Sequence, residues 1–136
     1  MKIKSFLAKP FANYIYRQIK KDMAAAVSDQ HTLFNQLIKS ASKTEFGKDH
    51  HFSSIKSHED FVKQVPVRDY EALKTYIDKI KEGRHNVLWK GQPIYFAKTS
   101  GTTSGVKYIP ITKDSIHNHI NTARNALLCY MAETGN

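Results

Sequence analysis

The spacing of apolar residues changes along this chain from the period of helices to that of short strands. Apolar positions recur every three or four residues through most of residues 1–85, which predicts a series of helices. Between residues 86 and 111 the pattern becomes three short runs, "NVLW", "PIYFAK" and "VKYIPI", and these predict strands. A last helical pattern covers residues 112–134. The pattern therefore predicts an α+β, mainly helical fold.

Residues typical of helix ends separate the periodic runs. The predicted helix starts are Ser28 with Asp29, the capping-box pair Ser57 and Asp60, Asp69, and Thr112. The predicted helix ends are Gly47, Pro66 and Gly83. The predicted apolar stripes of the first and last helices are Phe11, Tyr14, Ile15, Ile19, Met23 and Ala26, and Ile116, Ile120, Ala123, Leu127 and Met131.

Two or three short strands leave a sheet whose face and edges the rest of the chain covers poorly. We therefore expect residues 1–136 to be a single, incomplete N-terminal segment of a larger domain. The exposed apolar faces of such a segment are expected to promote its self-association.

The composition of the chain limits the classes of protein to which it can belong. With 136 residues and 40% hydrophobic composition, the chain can form one modest core. Cys129 is its single cysteine, so no internal disulfide can form, and this favours a reducing, cytoplasmic location. No apolar run approaches the roughly 20 residues of a membrane span, and the N-terminus lacks the unbroken apolar centre of a secretory signal. A membrane is therefore not expected as a partner.

The formal net charge of +9 suggests an alternative function for the chain. The basic residues at the start of the sequence come before any acidic residue. A basic helical module that binds nucleic acid or an anionic surface would use this charge, with Tyr14 and Tyr16 stacking on bases. No RNA-recognition or helix-turn-helix signature accompanies the charge, and a solvated helix face explains it as well. Nucleic acid is therefore the second reading, and a helical interaction module with an incidental loop is a third.

The segment "KTSGTTSGVKYIP" carries the strongest chemical signal. We call its residues Thr99, Ser100, Gly101, Thr102, Thr103, Ser104 and Gly105 the hydroxyl loop. A hairpin connection needs only about two to five residues, so this loop is longer than a turn requires. Glycines let successive backbone N–H groups point inward as an anion-binding nest, hydroxyls add donors, and Lys98 or Lys107 supplies charge. This donor set suits a polyphosphate, although the spacing fits neither a Walker A sequence nor a nucleophile elbow.

Other chemistry-bearing residues form no recognisable site. His117 and His119 face different directions on a helix, and His50 with His51 fits no common zinc spacing, so no metal ligands are predicted. The acidic residues fall at helix caps or solvent faces, and no catalytic acid or base can be assigned from them.

A family resemblance adds to this reading. "TSGTTSGVKYIP" is similar to the phosphate-binding signature of the adenylate-forming superfamily, which includes acyl-CoA synthetases and firefly luciferase. The elements "TEFGK", "VPVRDYE", the Tyr-Ile pair before "EG", "LW" and the hydroxyl loop follow in register between Leu33 and Thr112. Together they resemble the start of the auxin-responsive (Gretchen Hagen) acyl-acid amido synthetases, particularly bacterial members.

The resemblance implies an ATP-dependent ligase that activates a small carboxylic acid as an acyl-adenylate and transfers it to an amine such as an amino acid. It implies ATP and Mg²⁺ as cofactors, and it implies that this chain begins the large α/β domain of such an enzyme. Ser100, Gly101, Thr102 and Thr103 match the phosphate-contacting core, and Lys107 and Pro110 match the trailing lysine and proline.

One position departs from the signature, because Ser104 stands where many bacterial relatives have glycine, with Gly105 following. In the family, the nucleoside-binding motifs and the mobile C-terminal domain lie downstream of the matched region. The 136-residue chain by itself is therefore expected to be inactive.

Overall fold

The computed structural model describes residues 2–100 and 105–135, with side chains from residue 8 onward. The elements in chain order are α1 (Lys2–Ala24), α2 (Ala26–Ala41), α3 (Glu45–Asp49), a 3₁₀ turn (Phe52–Ser54), α4 (His58–Gln64), α5 (Tyr70–Lys81), β1 (Tyr95–Lys98), β2 (Tyr108–Ile111) and α6 (Lys113–Thr134). The predicted α+β, mainly helical fold is confirmed. None of the helices in the described part of the chain is long and apolar enough to cross a membrane.

The chain divides into two compact units, which are described separately. The first unit comprises Met1–Gln30 and Asp114–Asn136, and the second comprises His31–Lys113. In the first unit the Tyr16 hydroxyl donates a hydrogen bond to the Glu133 carboxylate. Ala12 and Leu128 are its buried apolar residues among those described.

The apolar stripes of the first unit differ from those predicted. Phe11, Tyr14 and Met23 of α1 are exposed, and so are Ile120 and Leu127 of α6.

The predicted start of the second helix at Ser28 is also wrong, because α2 begins at Ala26. The Ser28 hydroxyl instead donates to the Ala25 carbonyl across 2.9 Å, which is a bond within the turn and not a cap.

The core of the second unit consists of two apolar clusters that share one ring. Ile38, Ala41, Phe52 and Ile55 form the first cluster, with Phe34, Phe46, Phe61, Val65 and Trp89 packed against it. Tyr76, Ile80 and Val87 form the second, with Phe46, Leu73, Leu88 and Phe96 against it. Phe46 belongs to both sets, so this residue of α3 connects the two clusters.

Three predicted caps of the second unit are confirmed. Ser57 and Asp60 form a capping box at the start of α4. The Asp69 carboxylate accepts the Ala72 N–H across 2.9 Å at the start of α5. Gly83 has a φ of +91°, the left-handed conformation expected of a glycine that follows a helix.

The prediction that Gly47 ends a helix is wrong, because it lies inside α3. Thr44 caps this short helix, and its hydroxyl accepts the Gly47 N–H across 3.0 Å. A Cβ on residue 47 would lie 2.1 Å from the Ala41 carbonyl oxygen. Glycine is therefore required here by the close approach of two backbones and not by a turn.

The run "NVLW" does not form the predicted strand. Its backbone carbonyls at Asn86 and Val87 accept the N–H groups of Glu45 and Phe46, across 2.8 and 3.0 Å. These are donors at the start of α3 that the helix itself leaves unpaired. Val87 is apolar because it is buried in the second cluster, at 1% exposure, and not because it alternates in a sheet.

The other two predicted strands are present but shorter than expected. β1 and β2 form an antiparallel pair in which Tyr95 lies opposite Ile111 and Lys98 opposite Tyr108. α6 follows Thr112 directly, as predicted. The pair places the two ends of the hydroxyl loop side by side.

Candidate functional site

Two hydrogen bonds close the neck of the hydroxyl loop, which is the point where the loop leaves the sheet and returns to it. Beyond the last strand pair, the Thr99 N–H donates to the Lys107 carbonyl across 3.1 Å. The Lys107 N–H donates in return to the Thr99 hydroxyl oxygen across 3.3 Å. Thr99 and Lys107 therefore fix the positions at which the loop leaves and rejoins the sheet.

The structure brings only some of the sequence-predicted site residues together. Thr99 and Lys107 meet at the neck, and Ser100 and Gly105 are exposed just beyond it. Gly101, Thr102, Thr103 and Ser104 lie outside the described residues. Gly105 has a φ of +76°, and a Cβ added to it would meet no atom within 4 Å, so its backbone conformation, and not a lack of space, favours glycine.

Two residues of α5 that the sequence pattern does not assign to the site contact this neck. The Tyr70 hydroxyl accepts the backbone N–H of Tyr108 across 2.8 Å, and the Lys107 ammonium lies 5.6 Å from the centre of the Tyr70 ring. The Lys81 ammonium lies 4.8 Å from the centre of the Tyr108 ring. Helical spacing predicts Tyr70 only as part of the apolar face of its helix, and no local pattern connects it to a residue 38 positions away.

Helix α5 is itself attached to α3 by polar contacts. The Tyr76 hydroxyl donates to the Asp49 carboxylate across 2.8 Å, and Lys79 pairs with Glu45. Burial raises the pKa of Tyr76, and the hydrogen bond to Asp49 raises it further. These contacts hold α5, the helix that begins with Tyr70, against α3.

The neck supplies groups that suit an anionic ligand. Among the described residues, Lys107 makes no ion pair with a carboxylate, so its charge is not neutralised by that part of the protein. The hydroxyls of Thr99 and Ser100 are donors, and phosphate oxygens only accept. The residues present at the neck therefore fit the phosphates of a nucleotide.

Among the residues that the structure describes, no comparable set of ligands exists for a metal. Within residues 2–100 and 105–135, no three His, Cys, Asp or Glu side chains are grouped so that they can hold an ion. Mg²⁺ usually binds through one or two carboxylates together with substrate phosphates and water. The described residues thus provide no protein cage for Mg²⁺.

The second unit also contains an apolar cleft of about 390 Å³. Its walls include Phe34, Phe61, Leu73 and Trp89, together with the imidazole of His58. No lysine or arginine of the described ranges lines it, so these walls lack the cationic donors that favour a phosphate or a carboxylate. The cleft is therefore a weaker candidate than the neck of the hydroxyl loop.

Comparisons with known proteins agree with the resemblance found in the sequence. The model of the GH3 family N-terminal domain matches residues 15–134. The chain is 40% identical over 65 residues to the indole-3-acetic acid-amido synthetase GH3.15 of Arabidopsis thaliana, a match that covers 46% of this chain and 11% of that relative. The relative is a plant protein, and the expectation of a bacterial-type member is not borne out. Because the family model, that of the N-terminal domain, covers most of its residues, this chain belongs to the GH3 family.

Proposed function

We propose that this chain is the N-terminal part of an ATP-dependent acyl-acid amido synthetase. Such an enzyme activates a small carboxylic acid as an acyl-adenylate and transfers the acyl group to an amine such as an amino acid. Membership of the GH3 family and the similarity to an enzyme named as an amido synthetase support this reaction class. The match covers 11% of that relative, so the reaction is proposed for a protein longer than this segment. A cytoplasmic location is part of the same proposal.

The observation that carries the proposal is the geometry of the loop neck. The Lys107 ammonium has no carboxylate partner among the described residues. Gly105, two residues earlier in the chain, has a positive φ. We propose that the hydroxyl loop, from Thr99 to Gly105, binds the phosphates of ATP through backbone N–H groups and hydroxyls. Lys107 would offset part of their negative charge.

Mg²⁺ enters this proposal as the counter-ion of the phosphates. When bound, ATP with Mg²⁺ would supply the adenylyl group that the carboxylate accepts, with pyrophosphate as the leaving group. The residues of this chain would bind and orient the phosphates, and they would stabilise charge that grows on the leaving group. Residues that bind the adenine, the acid and the amine are not assigned.

A binding experiment on the ¹⁵N-labelled chain tests the phosphate site. We expect Mg·ATP to shift the amide resonances of Ser100, Gly105 and Lys107, and Lys107→Ala to weaken binding about tenfold, as for a lost charge-assisted hydrogen bond. Lys48→Ala is the matched control, because it removes the same charge from an exposed residue of α3. Equal weakening by both variants would show that ATP merely follows the net charge of +9 and would refute the site.

A second experiment tests whether this segment can catalyse adenylation by itself. The 136-residue chain by itself is expected to show no acid-dependent exchange of labelled pyrophosphate into ATP. The reason is that the family places its nucleoside-binding motifs outside the region matched here. Measurable exchange by the purified chain would contradict this expectation.

The nucleic-acid alternative stays a prediction, and one observation weakens its motivation. That alternative requires the Tyr16 ring to stack on bases. The Tyr16 hydroxyl, however, donates a hydrogen bond to Glu133, and the Lys20 ammonium lies over the Tyr16 ring, 5.2 Å from the ring centre. Both the edge and a face of this ring already have protein contacts.

A further inference from the structure

Tyr70 begins α5 at a position that the protein fixes firmly. The preceding residue, Asp69, caps the helix by accepting the Ala72 N–H across 2.9 Å. Further along the same helix, Tyr76 and Ile77 are buried. The backbone that carries the Tyr70 ring is thus held at its cap and by the buried helix that follows.

The hydroxyl of Tyr70 satisfies a backbone group that the sheet leaves open. In an antiparallel strand, successive N–H groups point in opposite directions, so Lys107 and Tyr108 cannot both bond to β1. Lys107 bonds to Thr99 across the neck. The Tyr108 N–H therefore points to the outer edge of β2, where the Tyr70 hydroxyl accepts it across 2.8 Å.

The ring of Tyr70 contacts the residue that comes immediately before Tyr108. The Lys107 ammonium lies 5.6 Å from the ring centre, within the range of a cation–π contact. One side chain thus holds both the backbone at the start of β2 and the charge next to it. A residue that only filled space would need neither contact.

We infer that Tyr70 is a positioning residue of the proposed phosphate site, which holds the Lys107 ammonium and the end of the hydroxyl loop in a fixed relation. The inference rests on the proposed function, since it names the side chain that orients the charge of that site. Its two contacts can be separated. Tyr70→Phe removes the hydrogen bond and keeps the ring, whereas Tyr70→Leu removes both contacts.

The first measurement follows Lys107 directly and needs no ligand. An aromatic ring shifts the resonances of protons near its face, so the ε-methylene protons of Lys107 report on the Tyr70 ring. We expect Tyr70→Leu to move these resonances toward random-coil values and Tyr70→Phe to leave them nearly in place. Tyr95→Leu, at an exposed tyrosine of β1, is the matched control and should leave them unchanged. Unchanged Lys107 resonances in Tyr70→Leu would overturn the inference.

The second measurement is a double-mutant cycle with Mg²⁺ and inorganic triphosphate as the probe. We expect Tyr70→Leu to weaken triphosphate binding roughly three- to tenfold in the wild-type background, the range of a cation–π contact. In the Lys107→Gln background, the same change should have little further effect, because the group that Tyr70 positions has been removed.

The outcomes distinguish this inference from the proposed function. If triphosphate binds the wild type and Tyr70→Leu weakens it equally in both backgrounds, or not at all, Tyr70 does not act through Lys107 and the inference is wrong. The phosphate site would still stand in that case. If triphosphate fails to bind the wild type, the proposed phosphate site fails and the inference fails with it.

Discussion

Replacement of Gly47 by alanine tests whether the close approach of α3 to the end of α2 holds the second unit together. The new Cβ would lie 2.1 Å from the Ala41 carbonyl oxygen and 2.9 Å from its carbonyl carbon. Cβ atoms essentially never approach another heavy atom more closely than 3.0 Å, so the two backbones would have to separate by the difference, about 0.9 Å. Both neighbours are main-chain atoms, and no flexible side chain can move aside.

The Ala41 carbonyl is poorly placed to yield. It accepts the N–H of Thr44 across 2.9 Å and the hydroxyl of the same residue across 2.7 Å. A displacement of nearly an ångström would stretch at least one of these bonds well beyond the usual range. Ala41 also belongs to the first apolar cluster, so its movement would disturb the packing of Ile38 and Phe52.

Several known magnitudes give the expected loss of stability. Overpacking costs typically 1–3 kcal/mol, here about the upper value since the contact is with backbone. A weakened hydrogen bond adds about 1 kcal/mol, and the better helix propensity of alanine returns about the same amount. We therefore expect Gly47→Ala to lower the free energy of unfolding by about 3 kcal/mol.

Urea unfolding followed by the fluorescence of Trp89 is a suitable assay. Trp89 is the one tryptophan of the chain and packs against the first cluster. Lys48→Ala serves as the control, because Lys48 is the next residue of α3 and is exposed; its change should stay within about 0.5 kcal/mol. A Gly47→Ala variant as stable as the wild type would refute the steric reasoning, and with it the assignment of Gly47 to a close backbone approach.

Three further predictions follow from buried groups and exposed faces. Thr44→Val should lower the free energy of unfolding by about 1–2 kcal/mol in the same urea assay, because the Gly47 N–H loses its acceptor; Thr44→Ser should restore most of it. Stability should fall as the pH rises above 10.0, since the raised pKa keeps Tyr76 protonated in the folded chain where the unfolded chain releases the proton. Tyr76→Phe should remove this alkaline slope in pH-dependent melting, and an unchanged slope would assign it to other groups. Self-association should appear as a rise of apparent mass with concentration in light scattering, because Ile120 and Leu127 are 59% and 61% exposed; a constant monomer mass would contradict it.

The parts of the fold that local chemistry decides were predictable from the sequence. Ser57 and Asp60 form the expected capping box because their spacing alone allows the reciprocal hydrogen bonds. Asp69 caps α5 through a single local bond, in which its carboxylate accepts the Ala72 N–H. The hydroxyl loop stood out because its length and composition exceed what a turn needs, and the strands on either side of it are present.

The errors arose where distant residues decide the local structure. "NVLW" has the composition of a strand, yet its carbonyls bond to the start of α3, which lies far earlier in the chain. Gly47 comes shortly after a helical stripe that ends at Ala41, as a terminal glycine would, although its real constraint is the Ala41 carbonyl. Apolar spacing also placed Tyr14 in a core, whereas it is 58% exposed. Periodicity identifies a helix, but it does not say which side of the helix meets another element.

The geometry of α5 explains how two residues at opposite ends of one helix come to contact the start of β2. Tyr70 and Lys81 are the first and last residues of the helix, and both reach Tyr108, one at its N–H and the other at its ring. A helix rises about 1.5 Å per residue, so these two Cα atoms lie roughly 16 Å apart and the two long side chains converge from opposite ends. The start of β2 can meet both only if α5 keeps its full length and its burial through Tyr76 and Ile80. A change that frays either end of this helix should therefore release one side of Tyr108 and alter the neck of the hydroxyl loop without touching the loop itself.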